Sequence, residues 1–183
     1  CGVAAGSPLN IIAAIGAFAA ISREVGIPLR FPGGAERIGE ATDARLIARA
    51  VEWAGNNEVA SNQIYNITNG DVYIWHYVWP RVAELFDMEY GSPQPMSLAK
   101  LMPENAKVWS RIIEKHSLKS YSLAELVPSW RFADYIFGYG QRPNPHHMSN
   151  IKIRKHGFSD CIDTEQMVLE LLQEMQSLRI IPR

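Results

Sequence analysis

The 183-residue chain holds two cysteines, Cys1 and Cys161, far apart in sequence. That scarcity excludes a disulfide scaffold and suits a reducing compartment, so a cytoplasmic setting is expected. Neither cysteine stands in a Cys-x-x-Cys or zinc-type spacing. An excess of charge is also lacking. Eighteen Lys and Arg against nineteen Asp and Glu leave a formal charge of -1, with nothing to attract nucleic acid or an anionic membrane in general. The most apolar run, from Ile11 to Ile21, falls short of the roughly 20 residues a membrane span needs. It is preceded by Ser7-Pro8 rather than a basic stretch, which argues against a signal peptide and for a buried helix. No Gly-rich phosphate loop opens a helix, because Gly33-Gly34 with Gly39 lacks the G-x-G-x-x-G spacing and reads as a turn. No Tyr-x-x-x-Lys pair occurs, and the first residue is Cys rather than Met.

What is present has ordinary soluble composition, 47% hydrophobic and 20% charged, and enough length for one domain with a real core. Residues 1–6 are small and read as a strand end or loop. Ser7 is the expected cap, and Pro8 the first position, of a helix running from about Leu9 to Val25 that stops at Gly26. Residues 27–31 look extended. A second helix begins at Thr42 or Asp43, carries Leu46, Ile47, Ala50, Val51 and Ala54 on one face, and ends at Gly55-Asn56-Asn57. Gln63 to Thr68 is a strand candidate and Asn69-Gly70 a turn. A helix follows from Trp75 to Phe86, where Pro80 predicts a kink or a restart. Residues 90–103 read as an irregular excursion and Glu104 to His116 as a helix. Ser122 to Glu125 fits a capping box, Trp130 to Phe137 is a short aromatic segment, and Gly138 to His147 is loop. Asp163 with Gln166 caps a last helix, whose Val168, Leu171, Leu172 and Met175 repeat at helical spacing. Helices outnumber strands. The expected class is therefore α/β, a helix-rich lobe attached to the edge of a parallel sheet.

Five motifs in order then carry a resemblance. Gly6-Ser7-Pro8-Leu9-Asn10 opens the apolar helix. Tyr65-Asn66-Ile67-Thr68-Asn69-Gly70-Asp71-Val72 is followed by Trp75 and Trp79. Trp130-Arg131-Phe132-Ala133-Asp134, His156-Gly157-Phe158 and Ile180-Ile181-Pro182 come after. In this order and spacing the chain resembles the C-terminal part of the progesterone 5β-reductase/iridoid synthase family, extended short-chain dehydrogenases/reductases with a Rossmann-type fold. The resemblance implies that residues 1–183 are the substrate-binding part of an NADPH-dependent reductase, with the nucleotide-binding half upstream. It implies reduction of a C=C bond conjugated to a carbonyl in a hydrophobic small molecule: hydride goes to the β-carbon and a Tyr hydroxyl steadies the enolate oxygen. The family places that Tyr, a Lys and the phosphate loop upstream, so no catalytic residue is assigned here. Val3 and Ser7 are the implied cofactor-side residues, and Leu9, Asn10 and Phe132 the implied substrate-side residues. Leu9 stands where relatives carry Met.

Plainer readings stand beside these. Ser7 can be a simple helix cap, Asn10 a local capping residue, and Phe132 and Trp130 core aromatics. His146-His147 sit in a Pro-rich loop with no carboxylate or Cys near at ligand spacing, which argues against a metal. His116 ends a helix, where a cation suits the dipole. Lys152, Arg154 and Lys155 read as a solvated strand or loop, too few for a nucleic-acid footprint. Two rival functions remain: a sugar-nucleotide epimerase or dehydratase, which shares the fold plan, and a non-catalytic cofactor-sensing module. The expected partners are a small molecule and, as an option, a second copy of the chain.

Overall fold

The computed structural model describes residues 1–141 and 147–183. Its centre is α1 (Ile11–Glu24), in which every residue from Ile11 to Ser22 is buried. The lack of a polar face forces this helix inside, and α5 (Ala106–His116), α6 (Leu123–Leu126), α7 (Trp130–Phe137) and α9 (Thr164–Ser177) pack around it. Its cap is Asn10, not Ser7. The Asn10 Oδ1 accepts from the N–H groups of Ile12 (3.0 Å) and Ala13 (3.2 Å), and the Ser7 carbonyl accepts from the Asn10 N–H. The helix therefore starts three residues later than the Ser-Pro pair suggested. Gly16 lets Ile181 press against α1, since a Cβ there would lie 2.7 Å from its Cδ1.

The strands are short. β1 (Leu29–Arg30) pairs in parallel with β4 (Tyr90–Gly91), and β2 (Ile38–Gly39) pairs antiparallel with β3 (Tyr73–Ile74). The β1 ladder continues irregularly, with Gln94 N–H to Phe31 O and Met96 N–H to Pro32 O, both 2.9 Å. Residues 90–103 are thus no loose excursion. They hold β4, then α4 (Leu98–Leu101) and part of a 3-10 turn (Met102–Asn105), with Leu98 and Met102 buried. The expected strand at Gln63–Thr68 does not form. Side chains rather than a neighbouring strand meet its carbonyls: Thr42 Oγ1 donates to Ile67 O, Lys152 Nζ to Ile64 O and Asn150 Nδ2 to Thr68 O. Among the described residues the strands make two two-stranded sheets, and the helices dominate.

α3 (Trp75–Leu85) runs through Pro80 without a restart. A second, smaller core lies under α2 (Ala44–Asn56), where Leu46 and Ala50 pack with Ile153 and Phe158, and Ile47 and Val51 stay exposed. Only part of the face read from the sequence is therefore covered. Ile153 belongs to α8 (Ile151–Lys155), so the basic cluster sits on a short helix rather than a strand or loop. His116 ends α5 as expected. Burial, then the nearby Arg23 and Lys115 charges, holds its imidazolium below the ordinary histidine range, which opposes the helix-end cation reading.

One junction ties the two cores. Asn69 is fully buried. Its Oδ1 accepts from the Asp43 N–H at 2.8 Å, and its Nδ2 reaches Thr164 Oγ1 at 3.0 Å and Met167 Sδ at 3.3 Å. Asp71 accepts from the Thr164 N–H (2.8 Å) and Oγ1 (2.6 Å). The Asn-Gly-Asp turn thus holds the starts of α2 and α9 together. A bend needing φ +99 explains its central Gly70.

Candidate functional site

A groove of two lobes that share Glu40 and Met148 opens beside the β2–β3 pair. The first lobe, about 370 Å³, lies between the β2–β3 pair and the end of α7. Tyr73 and Trp75 form its floor, Tyr135 and Ile136 one wall, and Arg37 and Ile38 the rim. Alternation along β3 and the start of α3 places these aromatics, which continue inward as edge-to-face contacts of Trp75 with Trp79 and Phe137. Burial, with a smaller push from Asp71, outweighs Arg37 and raises the Tyr73 phenol well above its ordinary value. Tyr73 therefore stays protonated and can donate a hydrogen bond at any working pH.

Backbone sets the α7 wall. Gly33 lies so close that a Cβ would sit 2.2 Å from the Phe137 carbonyl oxygen, and the Gly34 N–H donates to that oxygen at 3.0 Å. Arg37 Nη2 donates to the Tyr135 carbonyl at 2.8 Å and also to that of Ile136. The orphan carbonyls of the helix end are thereby satisfied, and Gly138 closes it at φ +73.

The second lobe, about 450 Å³, is bordered by Glu40, Asp71, Asn150 and Arg154 together with Val72, Met148 and Ile151. Glu40, a tenth exposed, accepts from the Met148 N–H at 2.8 Å and lies 3.3 Å from His147 Nδ1. This is the carboxylate partner that the sequence did not reveal, and it comes from about a hundred residues away. His146 lies outside the described residues. Arg154 spreads over Gly70, with Nη2 3.5 Å from its carbonyl. Asn150 Nδ2 donates to Thr68 O (3.2 Å) and Oγ1 (2.6 Å), while its Oδ1 is buried without a partner among the described residues. Among the described residues no group of three or more His, Cys, Asp or Glu could hold a metal ion. No helix among the described residues is long and apolar enough to cross a membrane.

The residues expected from the sequence do not line either lobe. Val3 packs half-buried against the main core, Ser7 is half-buried, and Leu9 is 67% exposed. Asn10 engages both ends of its amide locally, its Nδ2 donating to Ala4 O at 2.8 Å. Phe132 packs half-buried against the main core, on the helix whose end forms one wall of the groove. It shares one helical face of α7 with Tyr135 and Ile136, three and four residues on. The trace of the groove in the sequence was the aromatic segment at 130–137; Arg37, Glu40 and Tyr73 carried no local signal.

No protein-family model matches the chain. Over 96% of its length it is 32% identical to an (S)-8-oxocitronellyl enol synthase of Camptotheca acuminata and 30% identical to one of Nepeta cataria. Over the same share it is 30% identical to a 3-oxo-Δ4,5-steroid 5-β-reductase of Arabidopsis thaliana. The chain spans about half the length of these relatives, 46% in each case.

Proposed function

Starting from kinship with the progesterone 5β-reductase/iridoid synthase family, we propose that residues 1–183 form the C-terminal, substrate-side part of an NADPH-dependent reductase on a Rossmann-type scaffold. Its substrate is a hydrophobic enone or enal. The observation that carries the reading is identity of 30–32% along nearly the whole chain with two (S)-8-oxocitronellyl enol synthases and a 3-oxo-Δ4,5-steroid 5-β-reductase. A 3-oxo-Δ4,5 steroid is itself a conjugated enone, and the aromatic lobe beside α7 suits a flat apolar body of that kind.

The cofactor's phosphates find no grip at the start of α1, because the Asn10 carboxamide occupies the N–H groups of Ile12 and Ala13. In this reading the dinucleotide is held mainly by polypeptide outside residues 1–183, with Val3 and Ser7 at most bordering it. The described residues supply shape: Phe132, Tyr135 and Ile136 present one face of α7 to the substrate side, and the Gly33–Gly34 turn and Arg37 keep that face in place. Kinetics on the intact protein test this. Loss of NADPH absorbance with a cyclic enone should be catalytic. Ile136→Ala, in the wall of the lobe, should raise the KM for enone roughly tenfold, from the lost burial of about two methylene equivalents, and leave the KM for NADPH unchanged. Equal loss for both substrates, or no enone-dependent oxidation by the parent protein, would refute the proposal.

A further inference from the structure

Three large apolar side chains from separate segments, Ile38, Tyr135 and Met148, ring the lobe that Tyr73 floors, and each is about half exposed. Tyr73 beneath them is 7% exposed. Its hydroxyl has no hydrogen bond to any described residue. It is also not among the unpartnered atoms sealed away from solvent, which are His76 Nδ1, Trp79 Nε1 and Asn150 Oδ1. The hydroxyl therefore opens on the lobe that Tyr73 borders.

The phenol is held still. Tyr73 stands opposite Gly39 across the β2–β3 pair, and a Cβ on Gly39 would lie 3.2 Å from the hydroxyl oxygen. Glycine there leaves the ring its bed against the partner strand. Trp75 meets the same ring edge-on, with centroids 4.9 Å apart. A donor fixed in advance loses little freedom on binding. Burial keeps the proton on its oxygen.

The occupant's chemistry follows. An apolar body would cover Ile38, Tyr135, Ile136 and Met148. A bare hydrocarbon would strip water from the phenol and return no bond. A carboxylate would come close to Glu40, whose side chain is 10% exposed, while Arg37 Nη2 is already given to the Tyr135 and Ile136 carbonyls. An uncharged carbonyl accepts the hydroxyl proton and brings no charge. Four residues after Tyr73 stands Tyr77 rather than Lys, so the phenol serves as an anchor and not as the acid of the reduction.

We propose that Tyr73 is a specificity-determining residue, its hydroxyl donating to the carbonyl oxygen of an uncharged, flat, apolar ligand seated between Ile38, Tyr135, Ile136 and Met148. As a statement about substrate this rests on the reductase reading; as a binding site it stands by itself.

The test is a ligand-observed NMR titration of the intact protein, without cofactor, using indanone, indane and indane carboxylate. Indanone should bind saturably and roughly tenfold more tightly than indane, the worth of one neutral hydrogen bond, and more tightly than the carboxylate. Tyr73→Phe keeps the ring and should bind indanone and indane alike, with the affinity for indane unchanged. No saturable binding of indanone, equal binding of indane by the parent protein, tightest binding of the carboxylate, or a preference that survives in Tyr73→Phe would each overturn the proposal. Indanone has no C=C bond outside its aromatic ring, so nothing is reduced in the titration. The result is therefore independent of enone turnover, and either reading can fail alone.

Discussion

Replacing Asn69 by Ala should be among the most damaging single changes outside the apolar core. The truncation removes the acceptor for the Asp43 N–H, which lies at a fully buried residue, and the donor to Thr164 Oγ1 and Met167 Sδ. A buried N–H left unmet costs about 1–3 kcal/mol, and the lost Nδ2 contacts add about 1 kcal/mol. Thr164 Oγ1 keeps its bond to Asp71, so its share is small. The sum is about 3 kcal/mol. At this chain length that corresponds to a fall in Tm of roughly 6–12 °C. Urea unfolding of the two proteins should show a lower midpoint with an unchanged slope, since the same surface is exposed. Asn66→Ala is the matched control: its amide makes one exposed, long bond of 3.4 Å to Ser149 O, and its loss should cost under about 0.5 kcal/mol. A loss below about 1 kcal/mol at Asn69, or equal losses at both positions, would show that the junction does not hold the two cores together.

Gly33→Ala should lower stability by about 3 kcal/mol, because the new methyl would collide with backbone at Phe137 and with the Phe31 ring. Gly55→Ala in α2, where a Cβ meets nothing within 4 Å, should instead be neutral or stabilising by up to about 1 kcal/mol in the same thermal melts. For Asp43, burial alone would raise the carboxyl, but its hydrogen bonds from the Arg45 side chain and backbone outweigh this and hold it below the ordinary range. A depressed carboxyl contributes stability above its unfolded value of about 4 and loses it as pH falls through the folded value. Melts of the parent protein should therefore weaken below about pH 4, and Asp43→Asn should flatten that decline.

Local rules placed most helices correctly. The capping box at Ser122 and Glu125 is present in full, and Asp163 caps α9 as its spacing implied. Where those rules erred, distant partners decided. Ser7-Pro8 is a sound helix start, yet Asn10 wins because its carboxamide can reach both the helix N–H groups and Ala4 O. The β-branched and aromatic run at Gln63–Thr68 has strand composition, but its carbonyls are taken by Thr42, Asn150 and Lys152. The proline-rich 90–103 segment looked irregular because two-residue strands and one-turn helices fall below the reach of periodicity. The groove suffers most from this limit. Arg37, Glu40, Tyr73 and His147 gain their roles from neighbours far along the chain, which spacing does not encode.

The Asn-Gly-Asp turn also dictates an order of events. Its partners lie upstream at Asp43 and downstream at Thr164 and Met167, so the turn is emerging from the ribosome long before half of its contacts exist. A nascent chain ending near residue 150 could join the turn to Asp43 but would lack its anchor on α9. Native shape in this region should therefore arrive late and in one step, when residues 164–167 are delivered. Until then the apolar side of α1 that α9 covers lies bare, and that is the surface a chaperone has most to shield.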